Sequence, residues 1–283
     1  MIDARLTIEK RIAAEITGYD GHFSVYADDL KGNVIQISAD TPFETASTIK
    51  AYILACLFLE TEQGRKSLDD KVIYQEEHFV EGSGVLRAFE PGGEYRVKDV
   101  ATLMIIVSDN IATNLMIAYL GLDAINSFIQ EQGWQGTALH NPIDFRQYDR
   151  LGTTTPKDYA SLFKRLATGQ LISPVADAQM LEILKKQHYN KMLTAKLPRY
   201  YLDSEDLGTD ELFSIASKSG SMDACRNDGG IIYTPYGPYV VVIMSSDFHD
   251  PLYYDDHPAM QFGAKISRLL FHQFLALEGR FNL

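Results

Sequence analysis

The chain has 283 residues, 46% of them hydrophobic, and a formal net charge of −12. That acidic balance argues against nucleic acid as the main partner, and no run approaches the roughly 18 uninterrupted apolar residues of a membrane span. Cys56 and Cys225 have no metal-ligand spacing and the seven histidines are scattered, so neither a metal nor another cofactor is expected.

The first ten residues lack a basic segment followed by an apolar one, so no signal peptide is visible. The expected location is cytoplasmic as written, and extracellular or periplasmic if a leader has been removed. Residues 3–17 carry Leu6, Ile8, Ile12, Ala13 and Ile16 among charges, the pattern of an amphipathic helix. Residues 22–27 and 34–38 read as strands joined by a turn over 28–33, which makes a hairpin. From about 46 to 200 the pattern is mainly helical, with helices expected at 46–62, 97–107, 110–120, 123–132, 157–168 and 176–187. Gly64, Gly92, Gly93, Gly121 and Gly133 punctuate them. Strand patterns return at 212–218, 230–234 and 239–246, and an amphipathic helix over 258–277 closes the chain.

Strands at both ends and helices between them predict an α+β fold. A five-stranded antiparallel sheet is flanked by the terminal helices on one face. An all-helical insert packs on the other. The α/β part covers 1–40 and 210–283, and the insert covers 41–209. A cleft is expected between them, where binding sites usually form.

Ser47 and Lys50 stand three apart at the head of the apolar run that begins at Ala51. At that spacing they share one helical face, and desolvation beside apolar residues would favour a neutral lysine able to act as a base. A helix start with a lysine snorkelling to water gives the same pattern. Ser108-Asp109-Asn110 could supply a proton shuttle and a substrate-binding amide, or simply a helix cap. Lys218-Ser219-Gly220-Ser221 ends a strand and could hold a carboxylate, with Gly220 admitting close backbone approach. A strand end with a solvated lysine reads the same way. Gly82-Ser83-Gly84-Val85 reads as a simple turn, and the Asp247–His257 cluster as a solvated loop.

Taken together and in this order, Ser47-Thr48-Ile49-Lys50, Ser108-Asp109-Asn110 and Lys218-Ser219-Gly220 resemble the three motifs of class A serine β-lactamases and penicillin-binding proteins. The stretch Ile111 to Leu115, the segment Thr153-Thr154-Thr155-Pro156, Leu197-Pro198 and the run Gly229 to Tyr233 are also similar to that family. The resemblance implies a β-lactamase/transpeptidase-like fold and a Ser47 nucleophile acylated by its substrate. Lys50 would be its base, Ser108 the proton carrier and Lys218 the group that polarises Ser108. It further implies that Asn110 binds the substrate's side-chain amide, that Ser219 and Arg226 hold its carboxylate, and that the Ser47 and Ser221 N–H groups, beside Gly220, form an oxyanion hole. The implied partner is a small carboxylate-bearing molecule.

The resemblance breaks between Trp134 and Pro156, where the class A enzymes carry a deacylating glutamate. This stretch has none; its acids are Asp144 and Asp149. The family-like placement puts Thr137 or a neighbour at the glutamate position, Asn141 in place of the family asparagine, and Gly152 where a loop-locking aspartate is usual. Three readings follow. They are a β-lactamase-like hydrolase with another base, such as Asp144, Asp149 or Lys50; a penicillin-binding-protein-like D-alanyl peptidase or esterase; and a covalent sensor that retains its acyl group.

Overall fold

The computed structural model describes residues 6–148, 150–198 and 213–277. Its helices are α1 (Ile8–Glu15), α2 (Ile49–Glu62), α3 (Val97–Ile106), α4 (Asn110–Leu120), α5 (Leu122–Glu131), α6 (Pro156–Ala167), α7 (Pro174–Leu184), α8 (Lys191–Thr194) and α9 (Pro258–Leu277). The strands are β1 (His22–Asp28), β2 (Val34–Ile37), β3 (Phe43–Glu44), β4 (Lys71–Ile73), β5 (Glu94–Arg96), β6 (Ala138–Leu139), β7 (Gly152–Thr154), β8 (Ser214–Ser217), β9 (Gly220–Met222), β10 (Cys225–Tyr233) and β11 (Tyr239–Ser246).

The main sheet is antiparallel and runs β2-β1-β11-β10-β8, with β9 added beside β10. Both ends of the chain build it, as the pattern predicts. Side chains alternate across its faces. Val241 and Ile243 join Ile8, Ile12, Ile266 and Leu270 under the terminal helices α1 and α9, and Met192 and Leu193 of α8 close the same layer. Val240, Val242 and Met244 face the helical side, where α2 runs through the centre. Every residue of α2 from Ile49 to Phe58 is buried, which explains why its apolar residues show no stripe.

Local chemistry sets the helix starts. Asp109 accepts from Ala112 N, and Thr155 and Ser173 cap α6 and α7 ahead of Pro156 and Pro174. Three findings depart from the sequence reading. β10 begins at Cys225 rather than 230. The expected 212–218 strand appears as β8 (Ser214–Ser217), and residue 212 and residues 3–5 of the expected first helix lie outside the described residues. Two small sheets, β3-β7-β6 and β4-β5, were not expected at all.

Candidate active site

Ser47 lies in a short 3-10 turn, Ala46–Thr48, that leads into α2. Ala46 just before it has a φ of 45°, a left-handed conformation that costs a residue with a Cβ on the order of 1–3 kcal/mol. The turn is held from the sheet. Asn227 Nδ2 donates to Glu44 O at 2.8 Å. A Cβ on Gly220 would come within 2.7 Å of Ser47 N, Thr48 N and Thr45 O, so only glycine allows β9 this close. Ser47 is half-buried, and no hydrogen bond among the described residues engages its hydroxyl.

Lys50 is fully buried one turn further on. Its Nζ donates to Ser108 O at 2.8 Å and Asn110 Oδ1 at 2.9 Å, and lies 3.2 Å from Ser108 Oγ. Burial, and then the charge of Lys218, lower its pKa well below the ordinary lysine value, against the pull of Asp109. A neutral amine has two N–H groups and one lone pair. The carbonyl and amide oxygens can only accept, so they take the two N–H groups. The lone pair is left for a hydroxyl proton.

Lys218 donates from Nζ to Ser108 Oγ at 3.1 Å and to Ser219 O at 2.6 Å. It sits in the break between β8 and β9, where its own N–H still pairs with Gly229 O at 3.0 Å. Burial pushes its pKa down to about 7, opposed by Asp228. Asp228, on β10, is also wholly buried, which raises its carboxyl above the ordinary carboxylate value against the pull of Lys218. The N–H groups of Leu193 and Gly229 face this carboxyl, but neither oxygen receives a well-formed hydrogen bond. The sequence reading missed Asp228 and Asn227, both buried on β10 ahead of the strand it expected from 230.

Ser108 joins α3 to α4 with a φ of 53°. The Gly82-Ser83-Gly84-Val85 stretch, expected to be a simple turn, braces it. Ser83 Oγ donates to Ser108 O at 3.0 Å, and Asn110 N donates to Ser83 O at 3.0 Å. Asp109 Oδ2 accepts from Val85 N at 2.6 Å and Leu86 N at 2.8 Å. A Cβ on Gly84 would stand 2.3 Å from Asp109 Oδ2, so the loop can close over the aspartate only at a glycine.

Ser47, Lys50, Ser108, Asn110, Lys218, Ser219, Gly220 and Ser221 are thus gathered where α2, the α3–α4 junction and the β8–β9 edge meet. Arg226 is not part of the group. Its guanidinium donates to the carbonyls of Met222, Cys225, Pro251 and Leu252 and lies over the rings of Tyr253 and Phe248. These carbonyls occupy the donors that a substrate carboxylate would need. The same contacts show that the 247–257 segment is more than a solvated loop, since it is clasped by Arg226 and His257 is buried. No group of three or more potential metal ligands occurs among the described residues.

The 134–156 stretch also differs from expectation. Thr137 Oγ1 bonds with Thr154 Oγ1 at 2.8 Å and Asp158 Oδ2 at 3.0 Å, neither of them a partner of Lys50. Asn141 donates to Pro142 O at 2.8 Å. Asp144 Oδ1 accepts from Arg146 N at 2.9 Å and caps a local turn; Asp149 lies outside the described residues. The loop meets α4 at Ile143 instead. Asn114 grips the Ile143 backbone in both directions, accepting its N–H at 2.8 Å and donating to its carbonyl at 3.0 Å. Asn126 holds Leu139 in the same manner, at 2.9 and 2.8 Å. Asn114 is four residues after Asn110, so it occupies the same helical face one turn away. The loop therefore meets α4 one helical turn along from Asn110, the partner of Lys50.

The fold is that of the β-lactamase/transpeptidase-like serine hydrolases. The chain belongs to the beta-lactamase enzyme family, whose model matches residues 7–274. It is 25% identical over 214 residues to beta-lactamase BRO-1 of Moraxella catarrhalis, covering 74% of this chain and 65% of that protein. The crystal structure of a beta-lactamase from Sphaerobacter thermophilus superposes with a TM-score of 0.83 at 27% identity, over 94% of this chain and 96% of that one. A PBP-A variant with one leucine replaced by glutamate, an acyl-enzyme complex with penicillin G, superposes equally well, with a TM-score of 0.83 at 27% identity over 95% and 96% of the two chains. No helix among the described residues is long and apolar enough to cross a membrane.

Proposed function

We propose that this protein is an acyl-transfer serine hydrolase that opens β-lactams, or a related amide or ester, through an acyl-enzyme on Ser47. The observation that carries the reading is the hydrogen-bond chain Lys50–Ser108–Lys218 beside Ser47. Lys50, neutral and already donating to two oxygens, takes the Ser47 proton as the hydroxyl attacks the carbonyl. The proton passes to Ser108, which hands it to the leaving nitrogen while Lys218 stabilises the charge on its oxygen. The N–H groups of Ser47 and Ser221 stabilise the tetrahedral oxyanion, each worth about 2.7–4 kcal/mol in such sites. Asn110 binds the substrate's side-chain amide, and Lys218 and Ser219 take its carboxylate. An acidic protein with a buried basic site concentrates small anions there.

A second reading is favoured by one observation. The 134–156 stretch contains no glutamate and meets α4 through Ile143, and among the described residues no loop carboxylate is a partner of Lys50. That arrangement suits a penicillin-binding-protein-like peptidase or esterase, or a sensor, that keeps its acyl group. A chromogenic β-lactam separates the two. Continuous turnover supports the hydrolase, and a single stoichiometric burst supports the acyl-retaining protein. No burst and no turnover would remove both.

A further inference from the structure

We propose that Glu44 is a positioning residue for Ser47. Its carboxylate ties the nucleophile turn to the end of the loop that spans 140–151. Only the kinetic part of this inference rests on the role of Ser47 proposed above.

Glu44 precedes Ser47 by three residues and ends β3. β3 and β7 are too short to fix a loop alone; they share only the pairs Phe43↔Thr154 and Glu44↔Thr153. Thr45 N adds one bond to Gly152 O at 3.0 Å. Glu44 Oε1 then collects three backbone N–H groups from two separate segments. Ala46 N donates at 3.0 Å, Leu151 N at 3.0 Å and Gly152 N at 3.4 Å. The first belongs to the left-handed residue beside Ser47, and the other two close the loop. The backbone carbonyl of Glu44 meanwhile accepts from Asn227, so one residue touches the nucleophile turn, the loop and β10.

Gly152 cannot do this work itself. A Cβ there would come within 2.6 Å of Ala138 O and 2.9 Å of Thr45 Oγ1. The acid must therefore reach in from the opposite strand, and Glu44 does so. Its second oxygen, Oε2, is buried with no hydrogen-bond partner among the described residues. A half-satisfied buried carboxylate is a costly way to build a turn. It is accounted for if the three N–H groups must be held in fixed relation. A loop shift would pass through one oxygen to Ala46 and so to Ser47, and a displacement of about 1 Å at such a nucleophile can slow reaction by about a hundredfold.

The experiment compares wild type, Glu44→Ala and Glu44→Gln in two assays. Amide hydrogen exchange reads the tie directly, with or without acylation. Loss of protection at Ala46, Leu151 and Gly152 in Glu44→Ala is expected, and unchanged protection at all three overturns the proposal. The acylation rate constant with a penicillin, per titrated active site, reads the positioning. Glu44→Ala should acylate about 10- to 100-fold more slowly, and Glu44→Gln, which retains an acceptor oxygen, should recover most of that rate. A purely structural glutamate would lower the melting temperature and the active fraction while leaving the rate per active site unchanged, which overturns the proposal. If wild type itself does not acylate, the role of Ser47 fails while the exchange data still decide the tie.

Discussion

On one side of the cleft Lys50 has three polar partners within 3.2 Å, drawn from the α3–α4 junction. On the other, the loop arrives through the buried side chain of Ile143, gripped only by its backbone. The first side satisfies its buried amines in a way that leaves one lone pair for a proton. The second is held by Asn114, Asn126 and Glu44, yet none of its described acids or bases is a hydrogen-bond partner of Lys50. Order and chemistry are therefore separable here. Among the described residues the loop is tied in place without setting a carboxylate on Lys50.

The sharpest way to break this contrast is at Lys50. Lys50→Met keeps the buried stem and removes the amine, and acylation should slow by about 10²–10⁴-fold. Stopped-flow burst kinetics measure it, and a loss below about tenfold takes Lys50 out of the role of base. The loop side is tested by supplying what it lacks. Ile143→Glu puts a carboxylate on the loop where it meets α4 and should shorten the acyl-enzyme lifetime by about 10- to 100-fold. Following the decay of the adduct by mass checks this; an unchanged lifetime means that Ile143 does not face the acyl group.

The pH profile sharpens the acylation side. Lys50 must be neutral, so the acylation rate falls as pH drops through its depressed pKa. Lys218 must be charged to polarise Ser108, so the rate also falls as pH rises through about 7. Asp228 attracts the Lys218 proton, and Asp228→Asn removes that attraction. Lys218 then loses its proton at lower pH, and the basic limb moves to lower pH. Each unit of movement makes acylation above the limb about tenfold slower. A basic limb that stays in place would separate Asp228 from Lys218. The smallest effect on activity is expected at Arg226. Arg226→Gln strips hydrogen bonds from the carbonyls around 222–225 and 251–252, costing about 1–3 kcal/mol of stability. The KM for a carboxylate-bearing β-lactam should change less than about twofold. A large rise in KM with unchanged melting temperature would restore Arg226 as a carboxylate ligand.

Much of the frame was legible because burial writes itself into spacing. The 110–120 helix and the 258–277 helix match their expected bounds, and Asp109 marks the start of the former through its cap. The three motifs were legible for the same reason, since each sits at the end of a regular element. β3, β6 and β7 escaped because strands of two or three residues have no periodicity to read. β10 was cut short because the polar residues Arg226, Asn227 and Asp228 carry no apolar strand pattern, although all three are buried. Glu44 was invisible for a further reason. Its partners, Leu151 and Gly152, are brought near only by pairing between distant segments. Thr137 illustrates the converse error, in which placement by resemblance assigned a site position to a hydroxyl that the fold turns toward Asp158.

The most direct test of the account is intact-protein mass spectrometry after mixing with penicillin G. One adduct per chain, mapped to Ser47 and absent from Ser47→Ala, is the predicted result. An adduct retained in Ser47→Ala, or none in the wild type at any time from the first turnover onward, would contradict it.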